Sequence, residues 1–212
     1  MAEAANTAQS AILDRIAKAN AGVDVSARDA EYAVIEREYQ RVTGMDRAAI
    51  LEIFVERLRE YDAQVHEAAP GDVANAIRAA LSQNGQRSAV VADGFPQEWL
   101  PQGLAWRMER DADTEAMNTA EGAVVACEVA IAHTGTIVVK DSRRLTLLPD
   151  RLLCVVRADQ VLETVPEAFA RLQTIATDAL TFISGPSATA DIEMTRIRGV
   201  HGPRFLDVVL VD

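Results

Sequence analysis

One stretch near the end of this 212-residue chain concentrates the residue types that could bind a small anion or move a proton. The segment Leu180–Pro203 reads LTFISGPSATADIEMTRIRGVHGP. It carries the hydroxyls of Ser184, Ser187 and Thr189, and it also carries His201, one of three histidines in the chain. Histidine titrates near neutral pH, so His201 is suited to act as an acid, a base or an anion donor. The alternative is that His201 hydrogen-bonds only loop backbone.

The local pattern of this stretch predicts a strand, a turn and a helix in succession. Residues 181–184 are β-branched or aromatic and predict a buried strand, which Gly185–Pro186 ends because proline cannot donate to a ladder. Ser187 or Thr189 could then cap a helix over residues 188–193. Free N–H groups at a helix start favour anions. We therefore predict an anion site here, and a purely structural turn is the alternative.

A second polar turn lies between two apolar runs, at residues 122–132 and 137–140. It reads His133-Thr134-Gly135-Thr136 and predicts a tight connection between two strands. Since ligands of α/β sheets sit beyond the carboxyl ends of strands, we predict that this turn and the 184–203 loops converge on one pocket. The predicted ligand-binding residues are Ser184, Gly185, Pro186, Ser187, Thr189, Asp191, His133, Thr134, Gly135 and Thr136, and His201 is the predicted catalytic residue. Asp191 could orient His201, and a plain hairpin is the alternative for residues 133–136.

Several kinds of chemistry are disfavoured by composition and by missing motifs. The net charge of −11 and the pI near 4.8 argue against nucleic acid as a partner. Cys127 and Cys154 lie in apolar runs and form no CxxC, which disfavours an iron–sulfur cluster or a cysteine zinc site. The sequence also lacks a GxSxG elbow, a Rossmann glycine fingerprint and a P-loop. We expect no haem, flavin, metal or other cofactor in this chain.

The order of predicted elements is typical of an α/β protein. Helices are predicted from Asp46 to Tyr61 and through Val73, Ile77 and Leu81, with strands at 63–67 and 88–92. Further strands are predicted at 104–108, 151–157 and 205–211, a loop at 142–150, and a capping-box helix from Thr164 to about residue 180. This alternation predicts a mainly parallel sheet flanked by helices. Residues 1–45 are expected to form a helical arm, with a helix over 7–20, and residues 46–212 the α/β domain.

The amino-terminal region also bears on location and assembly. It carries Asp14 and Arg15 and no long apolar run, so we expect neither a signal peptide nor a membrane span. Cys127 and Cys154 are interpreted as small buried residues of a protein in a reducing compartment, with a disulfide between them as the alternative, and a cytoplasmic location is predicted. The arm would pack on the body of its own chain or on another subunit, which leaves a homo-oligomer open.

Three segments together resemble one known family. AIAHTGTIVV (130–139), SGPSATADIE (184–193) and GVHGP (199–203) are similar to motifs of the LUD domain, specifically of the lactate-utilisation protein C family. The resemblance covers roughly residues 45–212. It departs from the family pattern at His133, where the family often has an acidic residue. Glu128 lies within the apolar run 122–132 and lacks the glycine-rich setting of a CoA-transferase nucleophile.

The resemblance implies a fold like that of the sugar-phosphate isomerase and CoA-transferase-like superfamily. It also implies a role in L-lactate utilisation, the oxidation of lactate to pyruvate, beside iron–sulfur partner subunits that carry their own cysteines. The predicted function is a subunit of that system that lacks its own redox centre and binds a small anionic ligand. Two alternatives stay open: a free-standing enzyme acting on a phosphorylated or CoA-linked metabolite, and a structural scaffold subunit.

Overall fold

The computed structural model describes residues 2–39, 41, 44–140, 143–189, 197–199 and 201–212. The chain forms two compact units, residues 1–40 and 41–212. The boundary predicted at residues 45/46 stays a prediction. No helix within the described residues is long and apolar enough to cross a membrane.

The first unit contains two helices, α1 (Ala2–Asn20) and α2 (Val25–Ala33). The predicted helix over residues 7–20 is confirmed. Helix α2 begins at Val25 because Asp24 caps it. Its carboxylate accepts the N–H groups of Ser26 and Ala27 at 2.9 and 3.1 Å.

The second unit is built on a six-stranded sheet in which every neighbouring pair is parallel. Its strands are β1 (Gln64–Ala68), β2 (Ser88–Val91), β3 (Ala105–Met108), β4 (Ala123–Ala126), β7 (Arg151–Arg157) and β12 (Phe205–Val211). They lie in the order β1-β12-β7-β4-β2-β3. The parallel α/β sheet predicted from the sequence is confirmed.

Helices pack on both faces of this main sheet. Those on the main sheet are α3 (Arg47–Glu60), α4 (Val73–Gln83), α5 (Thr114–Asn118) and α6 (Arg143–Leu147), whereas α7 (Val165–Leu172) packs on a second, smaller sheet. Phe54 and Leu58 of α3 belong to the core on one face, and Ile77 and Leu81 of α4 belong to the core on the other. Alternate residues of each strand point to opposite faces, so strands buried on both sides are continuously apolar.

A smaller four-stranded sheet packs beside the first, in the order β8-β5-β6-β9. Its strands are β5 (Val129–Ile131), β6 (Thr136–Val139), β8 (Val161–Leu162) and β9 (Thr181–Ile183). The run 122–132, predicted as one strand, is divided between the two sheets. The Cys127 N–H still donates to the Val155 carbonyl in the main sheet at 2.9 Å, whereas the Glu128 N–H donates to the Val138 carbonyl in the smaller sheet at 2.9 Å.

Two further predicted boundaries are wrong. Residues 143–147, predicted as loop, form the helix α6. The helix predicted to run to about residue 180 ends at Leu172 and continues as one 3₁₀ turn, Gln173–Ile175. Its start is as predicted, because Thr164 and Glu167 form the expected capping box.

Candidate functional site

The segment after the SGPS turn is a strand where a helix was predicted. Strand β10 (Ala188–Thr189) pairs antiparallel with β11 (Ile197–Arg198). Ser187 shows the reason: its N–H donates to the Pro203 carbonyl at 2.8 Å, and its carbonyl accepts the Gly199 N–H at 2.9 Å. Both backbone groups bond to the returning loop, so no helix starts at Ala188 and the predicted helix N–H groups are absent there. Asp191, with the rest of 190–196, lies outside the described residues.

Strand β9 also differs from its prediction as a buried strand of the parallel sheet. It is an edge strand of the smaller sheet, antiparallel to β6, with Phe182 opposite Val138. The Phe182 side chain is 45% exposed and stacks on Phe169, with ring centroids 5.9 Å apart. Ser184 therefore follows an antiparallel strand. The expectation that ligands bind beyond the carboxyl ends of strands applies to parallel sheets, so it does not predict a ligand at Ser184.

The SGPS turn and the histidine loop nevertheless form one cavity, which we call the motif pocket. Ser184–Ser187 and His201–Pro203 line it together with Arg143 and Thr146, and its volume is about 250 Å³. The Ser187 hydroxyl accepts the backbone N–H of His201 at 3.1 Å, so it holds the loop and does not cap a helix. Two of the predicted motifs thus come together.

Arg143 is the pocket residue that the sequence did not single out. It begins α6 and is exposed. Within the described part of the chain, its guanidinium has no hydrogen-bond or ion-pair partner. An arginine that has no carboxylate to neutralise it is a ready donor to a carboxylate or phosphate. The only sequence signal was the pair Arg143–Arg144 in a segment predicted as loop.

The turn 133–136 meets the SGPS turn through a chain of hydroxyls. The Thr134 and Thr136 hydroxyl oxygens are 2.7 Å apart, and the Thr136 hydroxyl lies 2.8 Å from that of Ser184. Gly135 has φ +58, and a Cβ there would lie 2.9 Å from Cβ of Arg57, so the turn packs closely on α3. The link to the motif pocket runs through Ser184, since residues 133–136 are not among those that line the cavity.

His133 lies with this turn and apart from His201. Its Nε2 is 3.7 Å from a carboxylate oxygen of Glu163, a side chain only 4% exposed. His201 is exposed and is one of the residues that line the motif pocket. The two histidines therefore stand in different surroundings, and whether either acts on a ligand stays a prediction.

His66 is half-buried. Its Nε2 lies 3.1 Å from one oxygen of the buried Asp207 carboxylate, and Arg151 donates to the other oxygen at 2.6 Å. Asp207 is 1% exposed, so these two partners supply the compensation that a buried carboxylate requires. We assign this cluster a structural role at the amino-terminal ends of β7 and β12.

The cysteines are placed as small buried residues. Cys127 and Cys154 are both buried, and no disulfide joins them. Burial raises the pKa of the Cys127 thiol well above its usual range, so it stays protonated and unreactive near neutral pH. Among the described residues, no group of three or more His, Cys, Asp or Glu side chains is arranged to hold a metal ion.

Comparison with known proteins places these motifs in a family. The model of the LUD domain matches residues 1–211. Lactate utilization protein C of Deinococcus radiodurans is 37% identical over 175 residues, which cover 79% of this chain and 82% of the relative. The Bacillus subtilis protein of the same name is 31% identical over 144 residues, 62% of this chain and 58% of the relative. A crystal structure of a DUF162 family protein from D. radiodurans superposes with a TM-score of 0.68 at 33% identity, covering 79% of this chain and 99% of that one.

Proposed function

Because the chain belongs to the LUD domain family, we propose that it is a subunit of an L-lactate utilisation system that holds a small anion in the motif pocket. Relatives named lactate utilization protein C support involvement in lactate utilisation. The single observation that favours the anion is the convergence of the SGPS turn and the His201 loop around Arg143, whose guanidinium has no partner among the described residues.

The size of the motif pocket favours a metabolite of a few carbon atoms. Its volume of about 250 Å³ lies below the range of roughly 300–1,000 Å³ that is typical of pockets for drug-sized ligands. Arg143 supplies positive charge, and Ser187 and His201 supply polar groups beside it. A carboxylate or a phosphate group fits this combination.

The subunit works without a redox centre of its own. Oxidation of lactate to pyruvate removes two electrons and two protons from the substrate. Iron–sulfur partner subunits would accept the electrons, and this chain would bind an anion or position the partners. Kinship with the CoA-transferase-like superfamily and a cytoplasmic location are part of the same proposal.

Growth tests the proposal. Deleting this chain from its host should abolish growth on L-lactate as sole carbon source and leave growth on glucose unchanged. Arg143→Gln should complement the deletion poorly, whereas the neighbouring Arg144→Gln makes the same charge change outside the motif pocket and should complement fully. Normal growth of the deletion strain on lactate would contradict the lactate role. Full complementation by Arg143→Gln at normal protein level would contradict the pocket and favour a scaffold.

A further inference from the structure

A second cavity lies where the topology of the main sheet reverses. The chain leaves β2 toward β3 at the edge, and it leaves β4 toward β7 in the opposite direction. In open α/β sheets, a crevice opens beyond the carboxyl ends of two such strands and commonly holds the ligand. The residues that follow β2, β4 and β7 line a cavity of about 370 Å³ at this position. We call this cavity the switch-point crevice; its central residues are Trp99, Cys127, Glu128, Arg157, Gln160 and Arg171.

Glu128 is the unexplained group in the crevice. It lies two residues after the end of β4 and is half-buried. No hydrogen-bond or ion-pair partner of its carboxylate occurs within the described ranges of the chain. Partial burial of a carboxylate costs free energy unless a partner compensates it, so an unpaired one in a cavity suggests that a ligand supplies the partner. The sequence placed Glu128 inside one long strand, but the passage of the chain between the two sheets puts it at a strand end.

Buried hydrogen bonds hold Glu128 in place. The Gln160 side chain is 8% exposed; its amide nitrogen donates to the Cys127 carbonyl, and its oxygen accepts the Arg157 N–H at 2.9 Å. Gln160 therefore ties the end of β4 to the end of β7. The Glu128 N–H is fixed on β6 by its bond to the Val138 carbonyl. A site supported in this way keeps its shape before the ligand arrives.

The two arginines of the crevice differ in their partners. Arg157 forms a two-point ion pair with Asp159, with N–O distances of 3.0 and 3.3 Å. Arg171, near the end of α7, has neither a hydrogen bond nor an ion pair in the part of the chain that the structure describes. Arg171 is therefore available to an anion, while the adjacent Cys127 is a neutral thiol. Trp99 is half-buried and gives the crevice an aromatic wall.

We propose that the switch-point crevice binds a small 2-hydroxycarboxylate, with Arg171 donating to the carboxylate and Glu128 accepting the hydrogen bond of the hydroxyl. A cation and an acceptor that line one cavity, each without a partner in the described ranges, match an anion that carries its own donor. A bare anion would gain from Arg171 but would meet the negative charge of Glu128 without compensation. The inference rests on the crevice alone and does not depend on the lactate role of the motif pocket.

Tryptophan fluorescence can report on the crevice selectively. The chain has two tryptophans, Trp99 and Trp106, so Trp106→Phe leaves the crevice residue as the sole indole. In this background, L-lactate and propionate are titrated at constant ionic strength. The two ligands have the same carbon skeleton and differ by the 2-hydroxyl. A charge-assisted hydrogen bond is worth about tenfold to a hundredfold in affinity, so lactate should bind at least about tenfold more tightly than propionate.

Three variants assign the contacts. Arg171→Gln should weaken both ligands about tenfold or more. Glu128→Gln removes repulsion as well as a charged acceptor, so propionate should bind more tightly and the lactate preference should fall toward unity. Arg143→Gln, in the motif pocket, should leave the Trp99 titration unchanged. Circular dichroism checks that each variant is folded.

Three results would overturn the proposal. The first is a lactate-to-propionate ratio near unity in the parent protein. The second is a ratio that Glu128→Gln leaves unchanged. The third is a Trp99 response that Arg143→Gln abolishes and Arg171→Gln does not, which would assign the ligand to the motif pocket and leave the proposed function standing. Failure of both titrations together with normal growth on lactate would remove both proposals.

Discussion

The motif pocket and the switch-point crevice are built in opposite ways. Two loops, Ser184–Ser187 and His201–Pro203, supply half of the residues that line the motif pocket and lie within 20 residues of each other. The crevice takes its residues from the segments at the ends of β2, β4 and β7 and from α7, which are far apart in the chain. The motif pocket is therefore visible as a local sequence pattern, whereas the crevice exists only because parallel strands end at a common edge.

The two regions also differ in charge. The motif pocket offers Arg143 among polar groups, and the crevice holds Arg171 together with Glu128; none of these three side chains has a partner within the residues that the structure describes. We expect the first to select for negative charge alone and the second to select for an anion with a neighbouring donor. The following changes would break or sharpen this contrast.

The largest expected effect is on the folding of the motif region. Gly185 has φ +82, and a Cβ there would lie 2.5 Å from Cβ of Tyr61. Gly185→Ala should lower the free energy of unfolding by about 2–5 kcal/mol, since a left-handed conformation costs about 1–2 kcal/mol and overpacking about 1–3. Gly103→Ala is the matched control, because φ is +86 and no atom lies within 4 Å. Urea unfolding that gives equal losses for both variants would show that the Tyr61 contact does not constrain the turn.

Gln160→Ala should damage the crevice and spare the motif pocket. It removes the bond to the Cys127 carbonyl and leaves that buried acceptor without its partner, at a cost of about 1–3 kcal/mol in the free energy of unfolding. The preference of the crevice for lactate over propionate, measured by Trp99 fluorescence, should fall as well. Gln97→Ala, an exposed glutamine in the turn before Trp99, is the control. An unchanged lactate preference in folded Gln160→Ala would mean that Glu128 does not depend on this support.

The hydroxyl chain should couple the turn 133–136 to the SGPS turn. Ser184→Ala and Thr136→Val each remove one member of the 2.8 Å contact. A double-mutant cycle on the free energy of unfolding should show a coupling of about 0.5–1.5 kcal/mol. Additive losses would indicate that the two turns are only neighbours and that residues 133–136 have no link to the motif pocket.

The smallest expected effect comes from freeing Arg157. Asp159→Asn should raise the affinity of the crevice for L-lactate by about 1.4- to 5-fold, the range set by an exposed ion pair of roughly 0.2–1 kcal/mol. The hydrogen bond from Arg157 lowers the pKa of the Asp159 carboxyl, so this carboxylate stays charged as pH falls from 8 to 5. The parent affinity should therefore not rise over that range through loss of the Asp159 charge. A fall in the affinity for L-lactate on Asp159→Asn would show that the ion pair with Asp159 does not keep Arg157 from contributing to ligand binding.

The sequence predicted those features that depend on neighbouring residues. Asp46 capping α3, the Thr164–Glu167 box and the apolar strands are local patterns, and each is present. The helix expected after Ser187 failed because the backbone of Ser187 bonds to Gly199 and Pro203, partners that lie a loop away. A prediction from capping propensity considers only neighbouring residues and therefore takes no account of those bonds.

Glu128 and Arg143 show why some site residues could not be predicted from the sequence. Glu128 looked like a residue inside an apolar strand, because nothing in the run 122–132 marks the point where the chain passes from one sheet to the other. Arg143 lay in a segment too short for a periodic helix signal, yet α6 brings it to the motif pocket. Both residues are positioned by long-range packing that spacing along the chain does not encode.

The most direct test of two differently selective regions is an amide chemical-shift titration of the ¹⁵N-labelled chain with L-lactate and with propionate. The shift changes of the Ser184, Ser187 and His201 amides should saturate at the same concentration of either ligand, because Arg143 binds the carboxylate that both ligands share. The amides of Cys127, Glu128 and Val129 should saturate at about tenfold less lactate than propionate, because Glu128 accepts the hydroxyl. Equal lactate preference in both groups of amides, or shifts confined to one group with both ligands, would contradict this account.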